Sequence, residues 1–446
     1  MPVYKLGKHR FLINMQTLVV GLGRVGLPHA LLSAKKGNNV IGYDKNLNLI
    51  HGLISKKLPF IEKGMDKLLQ STLNKTFYPK TELNQSDWNQ IKIVIVTIGV
   101  DPFNGGSAFD NFWKIISYFC QIGVSGKTIV FRTTLPVGTI DKVRDFIISK
   151  TGLKSEVDFF LVFWPERIVE GVALKEELTL PRIVGAYSEK GFKNVSRYIK
   201  TISNAPITRV SNPRTAEFIK LLDNSYRATM FAFSNDVAIA AENVGVNIFE
   251  ALNAANSNYP RNNIKNPSIG IGGYCLTKDP YFLELSFPDI SREQKHSVWW
   301  YSRKISDEMP NYIASKISYL LNQYNLNKVL ILGITYKEDA DDTRLSPSLD
   351  LAKSLSNKFN VSIYDPYIGK SDYVNVDGID SEIDLNNVIK GKECVIVAVK
   401  HKQFLDKIKM LKLIKNLHKP AIIVDIWGIM PWLKGKKNII YWGFGL

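Results

Sequence analysis

Cysteine is scarce: Cys120, Cys275 and Cys394 are the only three in 446 residues, far apart and odd in number. Such a pattern indicates neither a disulfide framework nor a zinc cluster, implies no bound metal, and fits a reducing compartment, the cytoplasm. No stretch approaches the ~18 uninterrupted apolar residues of a transmembrane helix, and the N-terminus has no apolar core or cleavage site of a signal peptide, so no membrane span is expected. Tandem repeats and low-complexity tracts are absent. Acidic residues are outnumbered, 41 against 58 basic ones, for a formal charge of +17. A positive field concentrates nucleic acid, anionic membrane or acidic small molecules. The lysines are dispersed over helix ends and loops with no clustered stripe or recognition module, which points to acidic small molecules and away from nucleic acid. Lys5, Lys8, His9 and Arg10 form a basic lead-in ahead of the first strand.

Near the start, Thr17-Leu18-Val19-Val20 runs into Gly21-Leu22-Gly23-Arg24-Val25-Gly26-Leu27-Pro28, followed by an alanine- and leucine-rich helical stretch. A strand, a G-x-G-x-x-G turn and a helix in that order are the context a dinucleotide needs. Gly21 permits the tight turn, Gly23 lets the pyrophosphate reach the backbone, and Gly26 lets helix and strand pack closely. The next strand, 39–43, ends at Asp44, whose carboxylate can accept from an adenosine ribose and would repel a 2′-phosphate. That favours NAD over NADP, with Lys45 beside it as a counterweight.

A second motif, Gly270-Ile271-Gly272-Gly273-Tyr274-Cys275-Leu276-Thr277-Lys278-Asp279-Pro280, sets one cysteine in a glycine-flanked turn beside a lysine and a carboxylate. A nearby cation or helix N-terminus favours the thiolate, and a glycine-rich backbone admits a close substrate. Alone, such a cysteine is more often a small buried apolar group than a nucleophile.

Apolar, β-rich runs at 91–98, 128–133, 159–164 and 182–185 read as buried strands of a parallel sheet. From 215 to about 256 the pattern becomes one long helical period, and a further helical stretch spans about 292–322. Strand-like runs return at 329–333, 361–364, 395–399 and 422–425. The expected fold class is therefore α/β: two Rossmann-like doubly wound parallel-sheet domains joined by a central long-helix region. The expected boundaries are a lead-in at 1–14, an NAD-binding domain at 15–208, a central helical and dimerisation region at 209–322, and a C-terminal α/β domain at 323–446.

The order of motifs resembles the UDP-glucose/GDP-mannose dehydrogenases, the NAD-dependent nucleotide-sugar 6-dehydrogenases, over nearly the whole chain from Thr17. The resemblance is carried by residues 21–28, Thr133-Thr134-Leu135-Pro136-Val137-Gly138-Thr139, Pro165-Glu166-Arg167-Ile168-Val169-Glu170-Gly171, the stretch 220–227, the cysteine turn, Gly333-Ile334-Thr335-Tyr336-Lys337 and Asp342-Thr343-Arg344-Leu345-Ser346-Pro347. It implies a four-electron oxidation of a sugar C6 alcohol to a carboxylate with NAD as cofactor. In that scheme Cys275 captures the aldehyde as a thiohemiacetal that becomes a thioester, while Lys220 and Asn224, spaced i and i+4 on one helix face, steady the C6 oxygen. Asp279 and Thr134 resemble the water-organising residues, and Glu166 and Glu170 the carboxylates for general-base work and water orientation. Residues 21–26, Asp44 and Thr134 would hold the cofactor. Glu166, Arg167, Lys220, Asn224, Arg261, Gly272, Lys337 and Arg344 would hold a UDP-sugar, Arg261 across a dimer interface. A homodimer or a multiple of it is implied.

Departures from the family pattern leave each of these groups in place. Val96-Thr97-Ile98-Gly99-Val100-Asp101 stands where Val-Pro-Thr-Pro-x-Asp is usual, Tyr274 where histidine is common, Thr277 and Val137 where proline is. Glu166-Arg167 is similar to the branch acting on UDP-N-acetylhexosamines, such as UDP-N-acetylmannosamine, whereas Glu170-Gly171 matches the UDP-glucose pattern. A two-electron hydroxyacid-type dehydrogenase or a non-catalytic NAD-binding protein would share the first domain; the former would not need Cys275, the latter neither Lys220 nor Asn224.

Overall fold

The computed structural model of the protein describes residues 15–100, 107–286, 297–369, 379–381 and 384–445. The basic lead-in, Asp101 and the expected helical start at Arg292 lie outside the described residues. The chain divides into two compact units, one built mainly from residues up to Asp223 and one mainly from Asn224 onward.

The first unit holds strands β1 (Gln16–Val20), β2 (Asn39–Tyr43), β3 (Phe77–Lys80), β4 (Ile93–Val96), β5 (Thr128–Phe131), β6 (Phe160–Phe163), β7 (Arg182–Ala186) and β8 (Ile207–Val210). Among the described residues they form one sheet in the order β3-β2-β1-β4-β5-β6-β7-β8. The sequences of β4, β5 and β6, Ile-Val-Ile-Val, Thr-Ile-Val-Phe and Phe-Leu-Val-Phe, are buried at every residue, as expected of strands covered on both faces by helices. The order reverses between β1 and β4, the switch point at which such sheets bind ligands beyond their C-terminal strand ends.

One strand departs from the expected parallel sheet. β7 runs antiparallel to β6, with Val162 opposite Ala186 and Phe163 opposite Gly185, and β8 follows β7 in parallel. The cause is where the connection is anchored. Arg182, the first residue of β7, donates to the carbonyl and carboxylate of Glu177, which is ion-paired with Arg132 just after β5. The chain therefore enters β7 from the end at which it left β6, so the strand must run back.

The second unit holds β9 (Lys328–Leu332), β10 (Asn360–Tyr364), β11 (Asp380–Ser381), β12 (Cys394–Val397), β13 (Ala421–Asp425) and β14 (Ile439–Trp442). All pair in parallel, in the order β11-β10-β9-β12-β13-β14. This repeats the order of the first six strands of the first sheet, and the resemblance extends to detail. Gly21 after β1 and Gly333 after β9 both have φ near +90°, at 92° and 91°. Each N–H donates at 2.8 Å to the last residue of the neighbouring strand, Tyr43 or Tyr364. The architecture is α/β with two parallel-sheet domains and a long central helix.

That helix is shorter than its periodicity suggests. It runs Pro213–Asn243, and a separate helix follows at Ile248–Asn256. Gly245 takes φ +71°, the Val246 N–H reaches back to the Ala241 carbonyl at 2.9 Å, and the Asn247 side chain accepts from the Phe249 and Glu250 amides. A glycine-terminated C-cap and an asparagine N-cap two residues apart break the helix without disturbing the apolar period. Among the described residues no helix is long and apolar enough to cross a membrane.

Candidate active site

The turn after β1 has the geometry a dinucleotide requires. A Cβ on Gly26 would fall 1.9 Å from the Gly21 carbonyl oxygen and 2.5 Å from Thr97 Oγ1, whereas one on Gly23 would meet nothing within 4 Å among the described residues. Gly26 thus serves helix–strand packing, and Gly23 presents bare backbone to open space at the start of the helix Gly26–Lys35, where amide donors and the helix dipole favour a phosphate. Asp44 Oδ2 accepts from the Leu22 amide at 2.8 Å and Oδ1 from the Asn46 amide at 2.9 Å. Each oxygen keeps a lone pair for a ribose hydroxyl. These residues fit NAD. Arg24 in the same turn lies over the Phe60 ring and pairs with Glu170 at 3.4 Å, so Glu170 is brought to the dinucleotide turn.

Glu166 sits in a buried network that the sequence reading missed. Its Oε1 accepts from the Arg167 and Ile168 amides, both at 2.7 Å, and its Oε2 takes the Arg132 guanidinium. Arg132 also donates to Glu177 at 2.6 Å and to His29 Nδ1 at 2.7 Å, and stacks over Trp164 at 4.2 Å. His29 Nε2 faces the Tyr198 hydroxyl at 2.8 Å. Burial alone would raise the Glu177 carboxyl, but Arg132, His29 and Arg182 outweigh it and hold the group well below the usual carboxylate range. Burial, then Arg132, lowers His29. Two arginines, two glutamates and a histidine thereby fix the loop that presents Arg167, and Arg167 in turn pairs with Asp223 at 2.9 Å on the long helix. Glu62 completes the loop, accepting from the Gly171 and Ala173 amides at 2.7 and 3.0 Å.

Thr134 is half-buried in the turn after β5. Its neighbour Thr133 donates to the Val96 carbonyl at 3.3 Å and Thr139 to the Pro136 carbonyl at 2.6 Å, which fixes both ends of the turn. Lys220 and Asn224 are buried, at 7% and 5% exposure, and stand one turn apart on the helix Pro213–Asn243. They are not a solvated helix face.

In the second unit Cys275 is exposed and belongs to no disulfide. It is the second residue of the helix Tyr274–Glu284, where the dipole favours a thiolate. Gly273 enters this helix at φ +81°, and a Cβ there would fall 2.5 Å from the Tyr336 ring; one on Gly272 would fall 2.7 Å from the Leu345 carbonyl. The cysteine turn is therefore packed tightly on the 336–347 segment. Asp279, wholly buried, accepts from Asn224 Nδ2 at 2.5 Å on Oδ2 and from Lys278 Nζ at 2.7 Å on Oδ1. Lys278, noted only as a cation beside the thiol, is instead a buried partner of Asp279, held over Tyr274 and Phe282.

Arg344 grips Asp342 with Nε at 2.9 Å and Nη2 at 2.5 Å, while its guanidinium lies 5.7 Å from the Tyr274 ring. The pair sits beside the cysteine turn. Lys337 is half-buried on the same segment. Arg261 is exposed and lies over Tyr259.

Two α/β units that share the order of six strands, the first carrying a dinucleotide turn, define a dinucleotide-binding protein with a second Rossmann-like domain. The NAD binding domain of the UDP-glucose/GDP-mannose dehydrogenase family matches residues 15–202, its central domain 214–297 and its UDP binding domain 330–431. The chain belongs to this family; it is a nucleotide-sugar dehydrogenase, with NAD as cofactor and a UDP-sugar as substrate. It is 30% identical over 396 residues to a UDP-N-acetyl-D-mannosamine dehydrogenase of Pyrococcus horikoshii, covering 87% of this chain and 90% of that one. A protein of the same description from Campylobacter jejuni is 28% identical over 405 residues, 87% of this chain and 96% of its own. The solved structure of a UDP-D-ManNAc dehydrogenase from Pyrococcus horikoshii superposes with a TM-score of 0.85 at 28% identity, covering 96% of this chain and 99% of that one.

Proposed function

We propose that the protein oxidises the C6 alcohol of UDP-N-acetyl-D-mannosamine to the carboxylate through a thioester on Cys275, supplying a uronic acid donor for polysaccharide or glycan assembly. The observation that carries this reading is an exposed cysteine at a helix N-terminus in the same unit as the buried Asn224–Asp279–Lys278 chain. When bound at the turn of residues 21–26, NAD supplies the acceptor for the hydride lost in each of two oxidations.

Lys220 and Asn224 donate to the C6 oxygen as negative charge develops on it. The Cys275 thiolate adds to the aldehyde carbon, forming the thiohemiacetal, and keeps the aldehyde from escaping before the second oxidation leaves a thioester. Water then cleaves the C–S bond, restoring the thiolate and releasing the carboxylate. Thr134 and Asp279 organise that water. Glu166 and Glu170 supply the carboxylates for general-base work and water orientation, Glu166 held in place by Arg132. Lys337 and Arg344 hold the diphosphate, as lysine point charges and arginine forks suit, and Arg167, Arg261 and Gly272 complete the substrate contacts.

The names of the similar proteins and the Glu166-Arg167 pair support the acetamido sugar; Glu170-Gly171 favours UDP-glucose as the second reading. A panel of UDP-N-acetylmannosamine, UDP-N-acetylglucosamine, UDP-glucose and GDP-mannose decides it. The reading expects the highest kcat/KM on the first. Preference for UDP-glucose by about tenfold or more would overturn the sugar assignment while leaving the chemistry.

Residues 15–208, 209–322 and 323–446 are proposed as cofactor, central and UDP-sugar-binding domains. Phe218, Leu222 and Tyr226, spaced by four on the long helix, are 43%, 48% and 62% exposed. An apolar stripe left in water on such a helix supports a homodimer through it. A thiolate nucleophile also suits the reducing cytoplasm.

A further inference from the structure

The helix Thr139–Thr151 begins at Gly138, which takes φ +84° and has no side chain to cap the first amides. The cap comes from elsewhere. Glu217, wholly buried on the helix Pro213–Asn243, accepts from the Gly138 amide at 2.6 Å through Oε2 and from the Ile140 amide at 2.9 Å through Oε1. One carboxylate thus satisfies two orphan donors and meets the positive end of the helix dipole.

The position of this clamp matters for the reaction. Gly138 closes the turn that carries Thr134, and Glu217 lies one helical turn before Lys220 on the same face. We propose that Glu217 is a positioning residue, which fixes the Thr134 turn in register with the helix turn bearing Lys220. This rests on the roles given above to Thr134 and Lys220. A misplacement of about 1 Å at such groups costs on the order of 100-fold in rate, so a rigid link between them has a kinetic consequence.

The clamp is also responsive to protons. In the carboxylate form both oxygens accept strongly; protonation leaves one of them a hydroxyl, a weaker acceptor whose own proton must point away from the amide. Burial pushes Glu217 up to about 7, against the Ile140 and Gly138 amides, which lower it; Asp141 raises it further and Arg214 lowers it. The other facing group is Tyr187, which donates to Asp141 and has Arg144 over its ring. The ionised, clamped form therefore gains as pH rises through neutrality.

The test compares wild type, Glu217→Gln and Asp141→Asn in kcat and KM across pH, with Lys220→Ala as reference. Glu217→Gln is expected to lower kcat about 10- to 100-fold with both KM values within about twofold, and to lose the part of the acidic limb near neutrality. Asp141→Asn should shift that limb to lower pH by removing a like charge. An unchanged kcat and limb in Glu217→Gln, or a loss confined to KM, would overturn the proposal. If Lys220→Ala keeps full activity, the reading of the site fails instead of the clamp. Should Glu217→Gln not fold, amide exchange on the wild type serves. Protection of Gly138 and Ile140, corrected for intrinsic rates, is expected to fall from about pH 8 to about pH 6 relative to Val143; constant protection would overturn the proposal.

Discussion

Asn224 donates its side-chain amide to Asp279 across 2.5 Å, while Lys278 holds the other oxygen of the same carboxylate at 2.7 Å. All three are buried. The contact fixes which way the amide points: Nδ2 is spent in part on Asp279, and its second proton is directed by that bond. A carboxylate so used does two things at once, offsetting a buried lysine and aiming the amide proposed to donate to substrate. Asp279→Asn removes the first function outright. Breaking a buried ion pair costs roughly 3–5 kcal/mol, and a misaimed donor costs on the order of 100-fold in kcat. Denaturant unfolding and turnover measured on the same preparation check both; full turnover in Asp279→Asn would count against Asn224 as a donor to substrate.

Two glycines in one turn should respond differently to the same change. Gly26→Ala places a Cβ 1.9 Å from a backbone oxygen, so the turn must distort, and both stability and NAD binding fall. Gly23→Ala meets no atom of the described residues beyond its chain neighbours within 4 Å and should fold normally yet lose NAD affinity, because its methyl occupies the pyrophosphate's approach. Thermal unfolding with and without NAD separates the two: the Gly23 variant keeps its apo midpoint and loses the shift that bound NAD gives to wild type.

Two fully buried carboxylates of the first unit, Glu177 and Glu217, have opposite pH signatures. Glu177 is held below its ordinary range by Arg132, His29 and Arg182 against its burial, so its contribution is complete above the ordinary carboxylate pKa and is lost as pH falls through the folded value. Glu217 is raised by burial to about 7, so the folded state holds its proton more tightly than the unfolded chain does, and global stability falls as pH rises from about 4.5 to about 7 even as the ionised form makes the stronger clamp. Glu177→Gln should therefore destabilise at neutral pH, by roughly 3–5 kcal/mol for a broken buried pair, and flatten the acid side of the stability profile. Glu217→Gln should flatten the decline between about pH 4.5 and about pH 7. Urea unfolding across pH reads both.

Arg344 tests the second unit. Its fork is already engaged with Asp342, yet about half of the side chain is exposed beside the cysteine turn. Removing a charge-assisted contact to phosphate costs about 1.5–3 kcal/mol, so Arg344→Ala should raise the UDP-sugar KM by roughly 10- to 100-fold and leave the NAD KM near wild type. An unchanged KM for the sugar would assign Arg344 to the Asp342 pair alone.

Local patterns were legible in the sequence and distant ones were not. The β1 turn, Asp44 and the cysteine turn are each written within a few consecutive residues, and the buried strands announce themselves as apolar runs. The reversal of β7 depends on Arg182 finding Glu177 and Arg132, partners scattered over 50 residues of chain. Glu217 gave no signal either, because its partners Gly138 and Ile140 lie 79 and 77 residues earlier, and a glutamate in a helix usually means a solvated face. The break at Gly245 and Asn247 was different. Both caps are visible in the sequence, but the apolar period continues across them and masks the stop.

The central claim is the covalent route through Cys275, and NADH formed per UDP-sugar consumed tests it most directly, in wild type and in Cys275→Ala. Two NADH per sugar in wild type, falling to no more than one in the variant, is the predicted result. One NADH per sugar in wild type, or two in the variant, would contradict the thioester account.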